Sequence, residues 1–165
     1  MRHIPIHLVL AASCIACAVA APVANAAPAM QQYTAGAPAA CRPALPAYDG
    51  AIRTRPTAMA NEGTTTAFVS CSNWSMPFFQ ANYDTVVVLK NNSSVAVNVT
   101  CTLVAGGDTG PAPTYSTKTV SLAAQATNGV GWGTLASPDL PGTLRYSCGL
   151  PPGVELQRVL WGFVV

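Results

Sequence analysis

The sequence predicts an all-β fold, an antiparallel β-sandwich of seven to eight strands, immunoglobulin-like or jelly-roll-like, held by two disulfides. Three observations predict it. Short stretches of alternating apolar and polar residues recur along the chain, separated by Gly, Pro and Asn turns. No stretch has helical periodicity. Four cysteines, Cys41, Cys71, Cys101 and Cys148, follow an export signal, and an even number in an exported chain argues for two bridges.

The signal occupies residues 1–26. Residues 1–7 are weakly basic and carry Arg2. Residues 8–21 are apolar but for Ser13, and Ala24-Asn25-Ala26 fits a small-x-small cleavage pattern. Cleavage is expected after Ala26. The apolar core falls short of the roughly 20 residues that a membrane span needs. A lipid anchor on Cys14 or Cys17 is a lesser alternative, since Ala11-Ala12-Ser13 before Cys14 lacks the large aliphatic residue usual at such sites. The chain is therefore expected to be secreted or periplasmic, with no membrane span after signal removal.

Removing the signal changes the inventory. His3 and His7 are the two histidines of the chain, so none remains. Of eight basic residues only Arg2 is lost, which leaves seven against six acidic. A nearly neutral chain has no electrostatic reason to bind nucleic acid. The remaining length suits one domain with a modest core.

Residues 27–47 are rich in Ala and Pro and read as an extended leader, mobile as far as Cys41. The sandwich domain is assigned to residues 48–165. A short edge strand is expected near Ala51-Ile52-Arg53, limited by Pro56. Residues 64–72 alternate, with Ala67, Val69 and Cys71 on one side.

Residues 85–104 hold the strongest pattern. The run Val86-Val87-Val88-Leu89 suits a strand covered on both faces. Residues 95–103 alternate strictly, with Val95, Val97, Val99, Cys101 and Leu103 on one side and Ala96, Asn98, Thr100 and Thr102 on the other. Asn91-Asn92-Ser93-Ser94 between them reads as a hairpin turn. Residues 115–122 form a polar, Thr-rich strand with one wet face. Residues 129–135 form a Gly-rich strand around Trp132, residues 143–150 place Leu144, Tyr146, Cys148 and Leu150 together, and residues 154–165 close the chain. Trp132 and Trp161 are assigned to the core.

One pattern occurs twice. Asn61 precedes Val69-Ser70-Cys71-Ser72 by the offset at which Asn91 precedes Val99-Thr100-Cys101-Thr102. Two copies do not make a solenoid; they are read as one strand-plus-turn chemistry used twice, with Cys71 and Cys101 at equivalent inward positions. Cys101 and Cys148 each sit on an apolar alternating face and are expected to pair, which leaves Cys41 with Cys71. Loops of this length stabilise by roughly 3.5–4 kcal/mol each in a chain-entropy estimate.

Cys41-Arg42-Pro43, residues 61–71, Val99-Thr100-Cys101-Thr102-Leu103 and Tyr146-Ser147-Cys148-Gly149-Leu150-Pro151-Pro152-Gly153 together resemble a loose group of exported bacterial proteins of small β-sandwich type. The resemblance implies export and an all-β fold. It brings no catalytic residue and no ligand.

Chemistry is restricted by what the chain lacks. Without histidine, no Ser-His-Asp or Cys-His site can be built, and imidazole zinc sites are excluded. Lys90 and Lys118 sit in no nucleophile motif and read as solvated. The acids Asp49, Glu62, Asp84, Asp108, Asp139 and Glu155 lie mostly in turns or at strand ends, and nothing in their spacing pairs them for glycoside hydrolysis. No enzyme activity, cofactor or metal is expected. Residues 73–83 are the candidate binding loop, with Trp74, Phe78, Phe79 and Tyr83 beside Asn73, Gln80 and Asn82. Aromatic faces with nearby amides suit stacking on sugars or gripping a protein. The functional reading is an exported, disulfide-stabilised binding or interaction module for carbohydrate or another envelope or extracellular protein. The alternatives are a structural envelope protein without small ligand, an outer-membrane barrel, and a carboxylate-based glycosidase.

Overall fold

The computed structural model describes residues 30–73, 83–106, 112–133 and 144–164. Eleven antiparallel strands form two sheets. The first sheet holds β1 (Met30–Gly36), β3 (Ile52–Arg55), β4 (Ala58–Asn61), β6 (Tyr83–Asn91), β9 (Thr127–Gly131) and β11 (Val154–Val164). Its order is β3-β4-β11-β6-β9, and β1 pairs with β11 beyond the short reach of β4. The second sheet runs β2 (Cys41–Pro43), β5 (Ala67–Asn73), β10 (Leu144–Leu150), β7 (Val97–Ala105) and β8 (Thr114–Leu122), in that spatial order. A single helical turn, α1 (Ala37–Ala40), carries the chain from β1 to β2.

Alternation decides which side chains meet between the sheets. Val87 and Leu89 of β6 face Val99, Cys101 and Leu103 of β7, Tyr146, Cys148 and Leu150 of β10, and Val154, Leu156 and Val159 of β11 in one buried cluster. Leu156 and Val159 are an odd number of residues apart, so a regular strand would send them to opposite faces. A bulge at Gln157 inserts the residue that brings both inward. The apolar run of residues 86–89 behaves as a strand covered on both sides, since Val88 is also buried.

Residues 85–104 do not form a hairpin. β6 belongs to the first sheet and β7 to the second, so the turn at 91–96 is a crossover between sheets. Among the described residues, only β3–β4 and β7–β8 are consecutive strands that pair in one sheet. The physical reason lies in Asn91, which is fully buried. Its Nδ2 donates to the carbonyls of Val95 (2.8 Å), Ala123 (3.0 Å) and Leu122 (3.3 Å), and its Oδ1 accepts from the Ser93 amide (2.9 Å). A side chain therefore satisfies the turn, and the strand need not double back on itself.

Asn61 repeats this arrangement at the end of β4. Its Nδ2 donates to the carbonyls of Thr65 (2.8 Å) and Leu150 (2.6 Å), and its Oδ1 accepts from the Gly63 amide (2.9 Å). Each asparagine thus ties its own crossover to the last carbonyls of a second-sheet strand, β10 or β8. Gly153 joins the two crossovers: its amide donates to the Asn61 carbonyl and its carbonyl accepts from the Asn92 amide, both at 2.9 Å. Its φ of +78° is one that glycine adopts without steric cost.

The segment expected to be a mobile leader enters both sheets. β1 extends β11 in register from Gly36 opposite Arg158 to Met30 opposite Val164, and β2 lies on β5. Tyr33 stacks on Trp161, with ring centroids 5.8 Å apart. No alternation announces β1 because it lies on a sheet margin, held mainly by its pairing with β11 and by this stack. Trp161 is accordingly half-buried, whereas Trp132 is 6% exposed and packs on Tyr146.

Both disulfides lie on the inner face of the second sheet. Cys41–Cys71 joins β2 to β5 and Cys101–Cys148 joins β7 to β10, each between residues directly opposite in register. Peptide mapping under non-reducing conditions is expected to recover these two links, and a Cys71–Cys101 link would contradict the register. Asn91→Ala and Asn61→Ala are each expected to destabilise by about 2–4 kcal/mol, because buried carbonyls lose their donor. The exposed Asn92→Ala control is expected to change stability by less than about 0.5 kcal/mol, and urea unfolding measures the difference.

Candidate functional site

The alternation that sends Cys71, Cys101 and Cys148 inward sends their neighbours to the outer face of the second sheet. Register then sets these outer residues in rows across the strands. One row runs Arg42, Ser70, Ser147, Thr102 and Thr117 over all five strands. A second runs Ser72, Arg145, Val104 and Tyr115, and a third Phe68, Gly149, Thr100 and Thr119. With neighbouring strands about 4.8 Å apart, the five-strand row spans about 19 Å.

Hydroxyl groups dominate this surface and are ordered among themselves. The hydroxyls of Thr100 and Thr119 hydrogen-bond at 2.8 Å, as do those of Thr102 and Thr117. A threonine hydroxyl offers one donor and two acceptor positions, so each pair retains capacity toward solvent or ligand. Two aromatic rings lie on the same face. Tyr115 is 67% exposed and Phe68 43% exposed. Phe68 lies across Gly149, where an added Cβ would stand 3.1 Å from the ring, and its other neighbour is Tyr48 at 6.0 Å between centroids. Glycine at 149 therefore leaves the space that the Phe68 ring covers.

Basic residues lie on both sheets, but the described acids are absent from the second. The strands of the second sheet contain Arg42, Lys118 and Arg145 and no Asp or Glu. The described acids, Asp49, Glu62, Asp84 and Glu155, lie on the first sheet or in connections. Arg42 and Arg145 flank a depression of about 290 Å³, also lined by Ser70, Ser72, Val104 and Ser147. Lys118 points to the inner side of its edge strand and donates to the Gly131 carbonyl of β9 at 2.7 Å. Trp132 Nε1 donates to the Ser116 carbonyl at 2.8 Å. These two bonds clip the β8 and β9 margins together. Lys118 is exposed, as the sequence suggests, and has a structural partner besides; a charge on an edge strand also discourages edge-to-edge pairing.

A second depression, of about 440 Å³, lies at the asparagine end and is lined by Arg55, Glu62, Asn92, Gly153 and Glu155. It brings together two of the acids considered for glycoside hydrolysis. Both are already engaged: Glu62 with Arg55, and Glu155 with Gln157 at 3.0 Å and Lys90 at 4.0 Å. Asp108 and Asp139 lie outside the described residues. Among the described residues, no three of His, Cys, Asp and Glu converge as a metal site requires.

Of the predicted site residues, the four cysteines form the disulfides. Trp74, Phe78 and Phe79 lie outside the described residues. Tyr83 begins β6, and its side chain is likewise outside them. The residues that sequence reasoning passed over are Phe68, Tyr115, Arg42 and Arg145. Their signal was present in the alternation itself: Tyr115 shares parity with Thr117 and Thr119, on the wet face of that strand.

No protein family matches the sequence, and a search of curated proteins finds no match. Among solved structures, the fold is similar to TmCBM61, determined in complex with β-1,4-galactotriose, at 10% identity over 81% of this chain and 83% of that one, with a TM-score of 0.37. A CBM4 structure is similar at 11% identity over 81% and 84% of the two chains, with a TM-score of 0.38. So is the family 11 carbohydrate-binding module of Clostridium thermocellum, determined with a β-1,3-1,4-mixed-linked tetrasaccharide, at 10% identity over 82% and 86%, with a TM-score of 0.38. At these identities and TM-scores, the outer face of the second sheet is read from its own residues.

Proposed function

We propose that the chain is an exported, non-enzymatic binding module that takes a saccharide on the outer face of its second sheet. The observation that carries this reading is Tyr115, which is 67% exposed in the same row as Arg145 and beside the paired threonines. A large ring left in water at the margin of a hydroxyl-covered face serves no packing purpose, but it suits the apolar face of a sugar ring. The hydroxyls beside it supply the donors and acceptors that fix a ligand's orientation.

Export is supported by the signal-like residues 1–26 and by two buried disulfides, which form and persist in oxidising compartments. A non-enzymatic role is supported by the loss of both histidines with the signal and by the cation partners of Glu62 and Glu155. Among the described residues, no helix is long and apolar enough to cross a membrane. The two sheets pack face to face over an apolar core, an arrangement unlike a water-filled barrel.

A glycan array followed by titration calorimetry tests the reading. Wild type is expected to bind a saccharide, and Tyr115→Ala to weaken that binding at least tenfold, or about 1.4 kcal/mol. The same substitution is expected to shift unfolding free energy by less than about 0.5 kcal/mol, since the ring packs little. Absence of binding to any glycan, or equal binding by Tyr115→Ala, would overturn the assignment and favour a structural role.

A further inference from the structure

We infer that the saccharide bound on this face is an extended glycan chain of several sugars, held at one end of its bound stretch by Tyr115 and at the other by Phe68. The inference rests on the binding face assigned above and narrows its ligand. Its basis is the placement of two exposed rings. Among the described residues of the second sheet's strands, Tyr115 and Phe68 are the aromatic residues that face outward. They are 67% and 43% exposed. Tyr115 lies on the margin strand β8. The pairing of β2 ends opposite Val69, so Phe68 also stands at a margin of the sheet.

Register gives the separation of the rings. Two strands, β7 and β10, lie between β8 and β5. Tyr115 shares its row with Ser72, which is four residues along β5 from Phe68. Three strand spacings of about 4.8 Å and four residues of about 3.4 Å set the two backbones roughly 20 Å apart on a diagonal. That diagonal crosses β7 beside Thr102 and β10 beside Ser147. Thr102 is held by its hydroxyl bond to Thr117. Rings thus stand at the ends of the path and hydroxyls under its middle, the first for sugar faces and the second for sugar hydroxyls.

Phe68 is set for this use by what lies beneath it. Its ring rests across Gly149, and Tyr48 stands beside it with centroids 6.0 Å apart. A ring kept low against the sheet loses little freedom when a sugar stacks on it. A monosaccharide or disaccharide on one ring does not reach the other, whereas a chain of several sugars touches both. The path is straight, which suits chains whose successive sugars stay in line, as equatorial β-1,4 linkages keep them. The α-1,4 linkage of amylose curls the chain away from such a line.

Calorimetry with cello-, xylo- and manno-oligosaccharides from di- to hexasaccharide tests this, with malto-oligosaccharides as the curled comparison. In at least one β-1,4 series the hexasaccharide is expected to bind at least about tenfold tighter than the disaccharide. Phe68→Leu keeps an apolar cover over Gly149 but loses the flat ring, and it is expected to shrink that gain to about twofold or less. In the wild-type protein, NMR is expected to show the hexasaccharide shifting the ring resonances of both Tyr115 and Phe68. The inference is overturned if the disaccharide binds as tightly as the hexasaccharide, or if Phe68→Leu keeps the full gain. It is also overturned if the hexasaccharide shifts only one of the two rings, or if the malto series binds more tightly than all three others. Binding of some other glycan on the array that Tyr115→Ala weakens, with none of the three β-1,4 series bound, would refute this inference alone. Failure to bind any glycan would refute the binding face as well.

Discussion

Everything in this fold depends on how the chain passes from one sheet to the other, and two buried asparagines govern that passage. A sandwich whose consecutive strands mostly change sheets has crossovers in place of hairpins, and those after β4 and β6 leave carbonyls that a side chain must meet. Asn61 and Asn91 supply the missing donors from within the core. A buried amide left unsatisfied is costly, but one that meets several partners fixes a single geometry. These two residues therefore specify the strand order and bind the first sheet to the ends of β10 and β8.

That order has a consequence for the outer face of the second sheet, where binding is proposed. Both disulfides lie beneath it, and every row of hydroxyls and arginines above them sits one residue away from a cystine or from a residue packed beside one. Arg42 follows Cys41, Ser70 and Ser72 flank Cys71, Thr100 and Thr102 flank Cys101, and Ser147 precedes Cys148. The alternation of a strand converts a covalent link on the inside into a held position on the outside. A surface held in this way loses little freedom when a ligand docks, which favours affinity without a large interface. The disulfides thus serve the face above them as well as the core beside them.

Much of this was legible in the residues. Alternation in 64–72, 95–103 and 143–150 announced β5, β7 and β10, because one side of each is buried and the other is wet. The echo between Asn61 and Asn91 was visible too, yet its reading as ordinary turn chemistry understated it. Asparagine favours turns of many kinds, and only its burial against distant carbonyls distinguishes a crossover from a hairpin. The strands β1 and β2 were hidden because margin strands need no alternation and prolines obscure them. The binding face was overlooked for a related reason. Alternation puts Tyr115 on the wet side of its strand, but only register sets it in a row with Val104, Arg145 and Ser72 from other strands.

The claim at the centre of this account is that the outer face of the second sheet is where the molecule meets its ligand. Titrating the isotopically labelled protein with a saccharide selected on a glycan array, and following backbone and arginine side-chain resonances by NMR, tests it most directly. The account predicts that the shifts concentrate on Arg42, Ser70, Thr102, Tyr115, Arg145 and Ser147 while the first sheet stays unchanged. Shifts confined to Val86, Leu160 and their neighbours on the first sheet, or to Arg55, Glu62 and Glu155 at the asparagine end, would contradict it.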